Sequence, residues 1–234
     1  MDERWWRPVT RIADGVIIHV DLTGRATRVA KALEWLDGTE RARWRQYRYA
    51  RPRTEFALCR AALRAVLCRQ LDCRNNELAF ETSPHGKPSA TVCGARTPGS
   101  FNVSHSGAHA LIALAERGRI GVDVEERVTR HDPDGPIRAA FARTEQQELA
   151  AAQGAGKVDL FFTLWTMKEA LIKALGVGLS LDTAGFEIPP EMRRGARTGV
   201  FRFPHDPAVG WRLDNLGTPS YAAAVAVELD PVAA

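Results

Sequence analysis

The sequence predicts an α+β protein built as two similar lobes that meet near residue 118. Two observations carry that prediction. Each half runs through the same order of elements: a short strand, helices, then a small antiparallel sheet. Each half also holds one long segment whose apolar residues recur at helical spacing. The order repeats although the residues do not, and Gly118 punctuates the change from one half to the other.

Gly15-Val-Ile-Ile-His-Val-Asp21 is short and β-branched, which predicts a buried strand. Arg28 to Leu36 reads as a brief helix. A longer one follows from about Thr54 to Leu71, with Phe56, Leu58, Ala62, Leu63, Val66 and Leu67 on its apolar stripe. Pro52 is expected to separate that helix from an arginine-rich stretch holding Arg41, Arg43, Arg45, Arg48, Arg51 and Arg53. Strands are expected around Leu78–Glu81, at Ser100–Ser104 and at His109–Ala115, the last two joined by a Ser106-Gly107 turn. Arg119–Glu125 is a further strand. Val128 to Pro136 is polar, with two prolines, and reads as loop. A helix over Thr144–Ala152, with Thr144 as its N-cap, precedes a stronger one over Val158–Leu175 that stops at Gly176. Three strands close the chain: Thr198–Phe203, Trp211–Leu216 and Tyr221–Leu229.

Of the 234 residues, 45% are apolar and 26% charged, ordinary globular values that set disorder aside. A net charge of +4 favours anionic partners without choosing among them. No apolar run is long enough for a membrane span, and the start, Met-Asp-Glu-Arg-Trp-Trp-Arg-Pro, lacks the apolar core of a signal peptide. The expectation is a cytoplasmic protein with no membrane partner. Cys59, Cys68, Cys73 and Cys93 form no CxxC pair and no metal spacing, and are expected to be reduced.

Four segments carry candidate chemistry. In Gly121-Val-Asp-Val-Glu125, Asp123 and Glu125 stand two apart, so a strand points both to one face and Val122 and Val124 to the other. Two carboxylates on one face repel, and a hard divalent cation offsets that well. The alternative is a solvated polar face on an edge strand. In Phe161–Lys173, Leu164, Met167, Leu171 and Ala174 can form a buried stripe, while Trp165, Glu169 and Lys173 share a second face. Glu169 could supply a third carboxylate or a base, and Lys173 could hold a phosphate. The alternative is a surface Glu-Lys pair. Asn102-Val-Ser-His-Ser106 enters a tight turn and could form an anion nest, or simply a β-turn. Gly86-Lys-Pro88 offers a charge in a stiff local frame, or a generic surface turn.

Taken together and in this order, Lys87, Asn-Val-Ser-His-Ser, Gly-Val-Asp-Val-Glu and Trp-Thr-Met-Lys-Glu-Ala with Lys173 resemble the Sfp-type 4′-phosphopantetheinyl transferases, in their larger, pseudodimeric branch. The resemblance runs from about Arg41 to about Phe186. It implies two similar α/β lobes related by a pseudo-twofold axis, residues 1–118 and 119–234, with coenzyme A in the cleft between them. It implies transfer of the phosphopantetheine arm of coenzyme A to a serine hydroxyl of an apo carrier protein, with release of 3′,5′-ADP. Acyl, polyketide and peptidyl carriers all fit, and the branch often serves secondary metabolism. Asp123, Glu125 and Glu169 are the implied ligands of Mg²⁺, a place Mn²⁺ would also suit. Glu169 is the implied base, and Lys173 would stabilise or protonate the departing nucleotide. Lys168 has a lesser implied role at phosphates. Ser104 and His105 would hold phosphates of coenzyme A, His105 near the 3′-phosphate. Lys87 and Arg53 would serve the nucleotide, with Arg43 beside them. Glu40 departs from the family, standing where a basic residue is often found. A monomer is expected, since one chain supplies both lobes.

Other classes stay open at this stage. A nucleic-acid module would use the arginine stretch with Trp44, Tyr47 and Tyr49 as stacking groups, but leaves the carboxylates unexplained. Nucleic acid is therefore not an expected partner. A non-catalytic coenzyme A or carrier-binding protein has no need of all three carboxylates. A metallohydrolase ranks low, with no histidine near them.

Overall fold

A computed structural model describes residues 5–12, 15–82, 88–127, 137, 139–176 and 181–229. In chain order, β1 (Trp6–Ile12) and β2 (Gly15–Asp21) precede α1 (Ala26–Trp35), α2 (Gly38–Gln46) and α3 (Ala50–Gln70). Then come β3 (Leu78–Thr82), β4 (Pro88–Val92), β5 (Ala95–Arg96), β6 (Ser100–Ser106) and β7 (His109–Ala115). The second half holds β8 (Ile120–Glu126), α4 (Arg143–Ala151), α5 (Gly154–Leu175), α6 (Pro190–Arg193), β9 (Thr198–Phe203), β10 (Asp206–Asn215) and β11 (Tyr221–Glu228).

The period-2 alternation of the strands sorts their side chains into layers. One antiparallel sheet runs β1-β2-β7-β6 and the other β8-β11-β10-β9. Ile18, Val20, Ala110, Ile112 and Leu114 face outward and pack on α3. Their neighbours Ile17, Leu111 and Ala113 face inward, onto Ile120, Val122, Val124, Ala223 and Val225 of the second sheet. Leu213, Ala224 and Ala226 face the other way, onto Leu164, Met167 and Leu171 of α5. The result is helix, sheet, sheet, helix, with three cores between the layers. β3, β4 and β5 form a small third sheet. The α+β prediction and its two lobes agree with this architecture.

Several local expectations need correction. Pro52 does not separate the arginine stretch from the long helix. It lies in the first turn of α3, where a missing N–H costs nothing. Thr144 is not an N-cap. The helix begins at Arg143, Glu145 Oε2 accepts the Ala142 N–H at 2.9 Å, and Thr144 bonds Glu187 instead. β1, β4 and β5 were not expected from the sequence. β1 carries Pro8 and a largely exposed face, both tolerated because it is an edge strand. The loop expected over Val128–Pro136 lies outside the described residues, as do Gly86 and Lys87. Gly176 stops α5 as expected, in a left-handed conformation at φ 77°.

Two packing details set the site. A Cβ on Gly121 would come within 2.2 Å of the Ala170 carbonyl oxygen and the Ala174 nitrogen. The bare glycine thus lets α5 lie directly on β8, close to Asp123 two residues on. In the first lobe, Arg64 is fully buried, with its Nε on Glu40 Oε2 at 2.6 Å, a second bond to Asp37, and further bonds to Asn75 and Leu78. Asp37 also caps α2, accepting the Glu40 N–H at 2.8 Å. This network fixes α2 against α3. It also explains the acid at position 40, which serves as counter-ion to a buried arginine.

Candidate active site

Asp123 and Glu125 project from β8 toward α5, as the alternation requires. From α5, Trp165, Glu169 and Lys173 come up one half-exposed face to meet them, while Leu164, Met167, Leu171 and Ala174 are buried. Lys173 Nζ lies 2.6 Å from Asp123 Oδ1 and 2.9 Å from Ser104 Oγ. The Ser104 hydroxyl donates to the same Asp123 oxygen at 2.8 Å. Asp123 is 2% exposed, far from the solvated edge that its alternation alone allowed.

The electrostatics are those of crowded acids. Burial pushes the Asp123 carboxyl above the usual carboxylate range, against the pull of the Lys173 ammonium, the Ser104 hydroxyl and the Val124 N–H. Burial also raises Glu125, helped by the charge of Asp123 and opposed by Ser106, Lys173 and Trp165. Glu169 is raised by burial first, then by Asp123, with Lys173 opposing and Glu125 adding to the rise. The three carboxylates therefore sense one another across strand and helix.

The donor set fits a hard divalent cation. Asp123 Oδ2 is buried and has no hydrogen-bond partner, and the charge of Asp123 is felt at Glu125 and Glu169. Among the described residues, no three His, Cys, Asp or Glu side chains are placed so as to hold a metal ion by themselves. Such an open set suits an ion that shares its shell with a phosphorylated ligand and water.

A largely apolar pocket of about 300 Å³, with Arg43, Arg60, His105 and Glu55 in its wall, opens on the other side of β6. Ser104 and His105 are adjacent on the strand and so point to opposite faces. Ser104 joins the carboxylates, whereas His105 lines the pocket with Arg43, Tyr47, Phe56, Arg60 and Pro88. Arg60 was not foreseen from the sequence. Its Nε reaches Glu40 Oε1 at 3.4 Å, its guanidinium carbon lies 4.4 Å from the centre of the Phe80 ring, and its buried Nη1 has no hydrogen-bond partner. Burial holds its guanidinium below the ordinary arginine value. A guanidinium in the wall of a pocket is a good partner for an anion. A signal was present: Phe56, Arg60 and Leu63 share one helical face.

Other expected residues take different places. Lys168 is 2% exposed, 2.8 Å from Glu145 Oε2, and donates to the carbonyls of Thr183 and Phe186. This corrects its expected role at phosphates: it ties α5 to α4 from the buried side, and burial lowers its pKa against the pull of Glu145. Arg53 stacks its guanidinium 3.7 Å from the centre of the Trp44 ring, joining α2 to α3. The same stack covers the tryptophan that a nucleic-acid reading would use. Lys87 lies outside the described residues.

Comparison with known proteins identifies the family. Residues 119–226 match the profile of the 4′-phosphopantetheinyl transferase superfamily, and residues 24–117 match the profile described as 4′-phosphopantetheinyl transferase, N-terminal. The chain is 30% identical over 188 residues to the 4′-phosphopantetheinyl transferase HetI of Nostoc sp., covering 77% of this chain and 78% of that one. It is 34% identical over 127 residues to the 4′-phosphopantetheinyl transferase Sfp of Bacillus subtilis, 54% of each chain. It is 39% identical over 145 residues to slr0495 of Synechocystis sp., provisionally assigned the same activity, covering 62% of this chain and 58% of the relative. The chain thus spans little more than half the length of the last two relatives. With both halves matched and most of HetI covered, the chain belongs to the 4′-phosphopantetheinyl transferase superfamily.

Proposed function

We propose that this chain transfers the 4′-phosphopantetheine group of coenzyme A to a serine of an apo carrier protein and releases 3′,5′-ADP. The observation that carries this reading is the buried, partnerless Asp123 Oδ2, whose charge is felt at Glu125 and Glu169, one β-strand away from the pocket of Arg43, Arg60 and His105.

Residues 1–118 act in this reading as the nucleotide-binding lobe and 119–234 as the lobe of the metal and catalytic groups. Arg43, Arg60 and His105 receive the phosphorylated nucleotide. Asp123, Glu125 and Glu169 hold Mg²⁺, or Mn²⁺, which when bound neutralises the pyrophosphate and acts as a Lewis acid on it. Glu169 takes the proton from the carrier's serine hydroxyl as its oxygen bonds to the β-phosphorus. The bond from that phosphorus to the bridging oxygen breaks, and the electron pair leaves with 3′,5′-ADP. Lys173 sits where its ammonium can stabilise or protonate that leaving phosphate. The +4 charge supports an acidic protein partner by electrostatic steering. Four free cysteines support a reducing, cytoplasmic setting, and two lobes in one chain support a monomer.

The test is stoichiometry. With coenzyme A, Mg²⁺ and an apo carrier, 3′,5′-ADP should appear mole for mole with modified carrier and stop on addition of a chelator. Coenzyme A binding without 3′,5′-ADP release, across several acyl and peptidyl carriers, would favour a non-catalytic binding protein.

A further inference from the structure

The face that the first sheet turns toward the second changes character between β7 and β6. On β7 it carries Leu111 and Ala113, both buried among apolar residues. Directly across on β6 stand Ser104 and Asn102, and Ser106 follows on the same face. Polar side chains turned into a core are costly unless they find partners. Here the partners belong to β8. It is the edge strand of its sheet, so the N–H groups along its free side need acceptors.

Val122 N–H donates to Asn102 Oδ1 at 3.0 Å, and Glu126 N–H donates to Ser106 Oγ at 3.1 Å. Between them the Ser104 hydroxyl donates to Asp123 Oδ1 at 2.8 Å. All three bonds are rungs that cross from one lobe to the other. The residue numbers rise together, so β6 and β8 run parallel, and both outer rungs join positions 20 apart. Successive N–H groups of a strand point to opposite edges, so a slip of one residue would break both. The outer rungs stand about 13 Å apart along the strands. Between them lies the centre of the site, where Lys173 Nζ is 2.9 Å from Ser104 Oγ and 2.6 Å from Asp123 Oδ1.

We propose that Asn102 and Ser106 are positioning residues for the transfer, the two outer rungs that hold the catalytic lobe in register on the nucleotide-binding lobe. They act through the backbone of β8. With both in place, Asp123 on β8 meets Ser104, while the next residue of β6, His105, stays in the pocket on the opposite face. The inference rests on the reaction proposed above and adds two residues to it. A displacement of about 1 Å at reacting groups can cost about 10²-fold in rate.

The test pairs amide hydrogen exchange, which reads the rungs, with steady-state rates, which read their use. Asn102→Ala should speed exchange of the Val122 N–H, and Ser106→Ala that of the Glu126 N–H, by about 3- to 10-fold. With coenzyme A, Mg²⁺ and an apo acyl carrier protein, each variant should lose about 10- to 100-fold in kcat. The KM for coenzyme A should stay at the wild-type value. Rates are taken where circular dichroism shows each variant folded, so a role in stability alone would leave kcat unchanged. Ser106→Thr, which keeps the acceptor oxygen, should restore both slow exchange and kcat. Wild-type kcat in both alanine variants would overturn the inference and leave the proposed reaction standing. So would a raised KM for coenzyme A at unchanged kcat, or unchanged exchange at Val122 and Glu126. Absence of transfer by the wild-type protein to any of several carriers would overturn the reaction and the inference with it.

Discussion

Lys173 Nζ lies 2.6 Å from Asp123 Oδ1, and the Ser104 hydroxyl bonds both groups. The pair joins α5 to β8 at the centre of the site. Lys173→Met removes the cation and leaves Asp123 buried with no counter-charge. Breaking a buried pair costs about 3–5 kcal/mol, and the Lys173 side chain is 29% exposed, so a loss of roughly 2–3 kcal/mol is expected. Urea unfolding at neutral pH measures it. Adding Asp123→Asn should recover part of the loss, since no lone charge remains.

Glu169→Gln should reduce transfer by about 10²–10⁴-fold, the usual contribution of a general base. It should not lower stability. The folded-state pKa of Glu169 is raised by burial and by Asp123, with a further rise from Glu125. Its ionised form is therefore disfavoured by the fold, and neutralising it relieves repulsion in the metal-free protein. Thermal unfolding without metal should show an equal or higher midpoint.

Gly121→Ala should disturb the site without touching a charged group. The added carbon would meet the backbone of α5 at 2.2 Å, and backbone atoms have nowhere to go. Overpacking of this kind costs about 1–3 kcal/mol, at times more. A lowered melting temperature together with weakened Mn²⁺ binding would show that the helix had moved off β8.

Arg60→Met should raise the KM for coenzyme A and leave kcat largely unchanged. The substitution removes the guanidinium that lies over Phe80 and lines the pocket, and leaves an unbranched apolar side chain in its place. A hydrogen bond to a charged group is worth about 1.5–3 kcal/mol, so an increase of about 10- to 100-fold is expected. Initial rates against coenzyme A concentration decide it.

Acid sensitivity should trace in part to His19. Burial, then the nearby His109 and Arg7, lower its pKa from 6.5 to about 4, with Asp21 opposing. Its Nε2 lies 3.0 Å from His109 Nδ1, and its ring stacks on Tyr221. Between those two values the unfolded chain binds a proton that the folded chain does not, so stability rises with pH. The contribution is complete above pH 6.5 and is lost as pH falls toward 4. At about 1.4 kcal/mol per pKa unit the ceiling is about 3.5 kcal/mol, and solvent screening of the partly exposed ring holds the effect below that. Urea midpoints between pH 7 and pH 4.5 should fall less steeply for His19→Gln than for the wild type.

What the sequence revealed follows from periodicity. The strand period put Asp123 and Glu125 on one face, and the helix period put Glu169 and Lys173 on another, but only the family resemblance joined the two segments into one carboxylate set. The step from Glu169 back to Lys168 is about 100° around a helix. That turns Lys168 into the buried side, where its partner Glu145 comes from another helix, a pairing no local pattern displays. Arg53 and Arg60 were illegible for a related reason. Their neighbours, Trp44 and Glu40, lie across a helix junction fixed by Arg64. The rungs from Asn102 to Ser106 looked like turn residues because their partners lie in the other lobe.

The central claim is that carboxylates from β8 and α5 act together on one phosphoryl transfer. Its most direct test is the intact mass of an apo carrier protein after incubation with coenzyme A, Mg²⁺ and the enzyme. The account predicts a gain of one phosphopantetheine with the wild type and none with the Asp123→Ala, Glu169→Ala double variant. Normal modification by that double variant, folded as judged by circular dichroism, would contradict it.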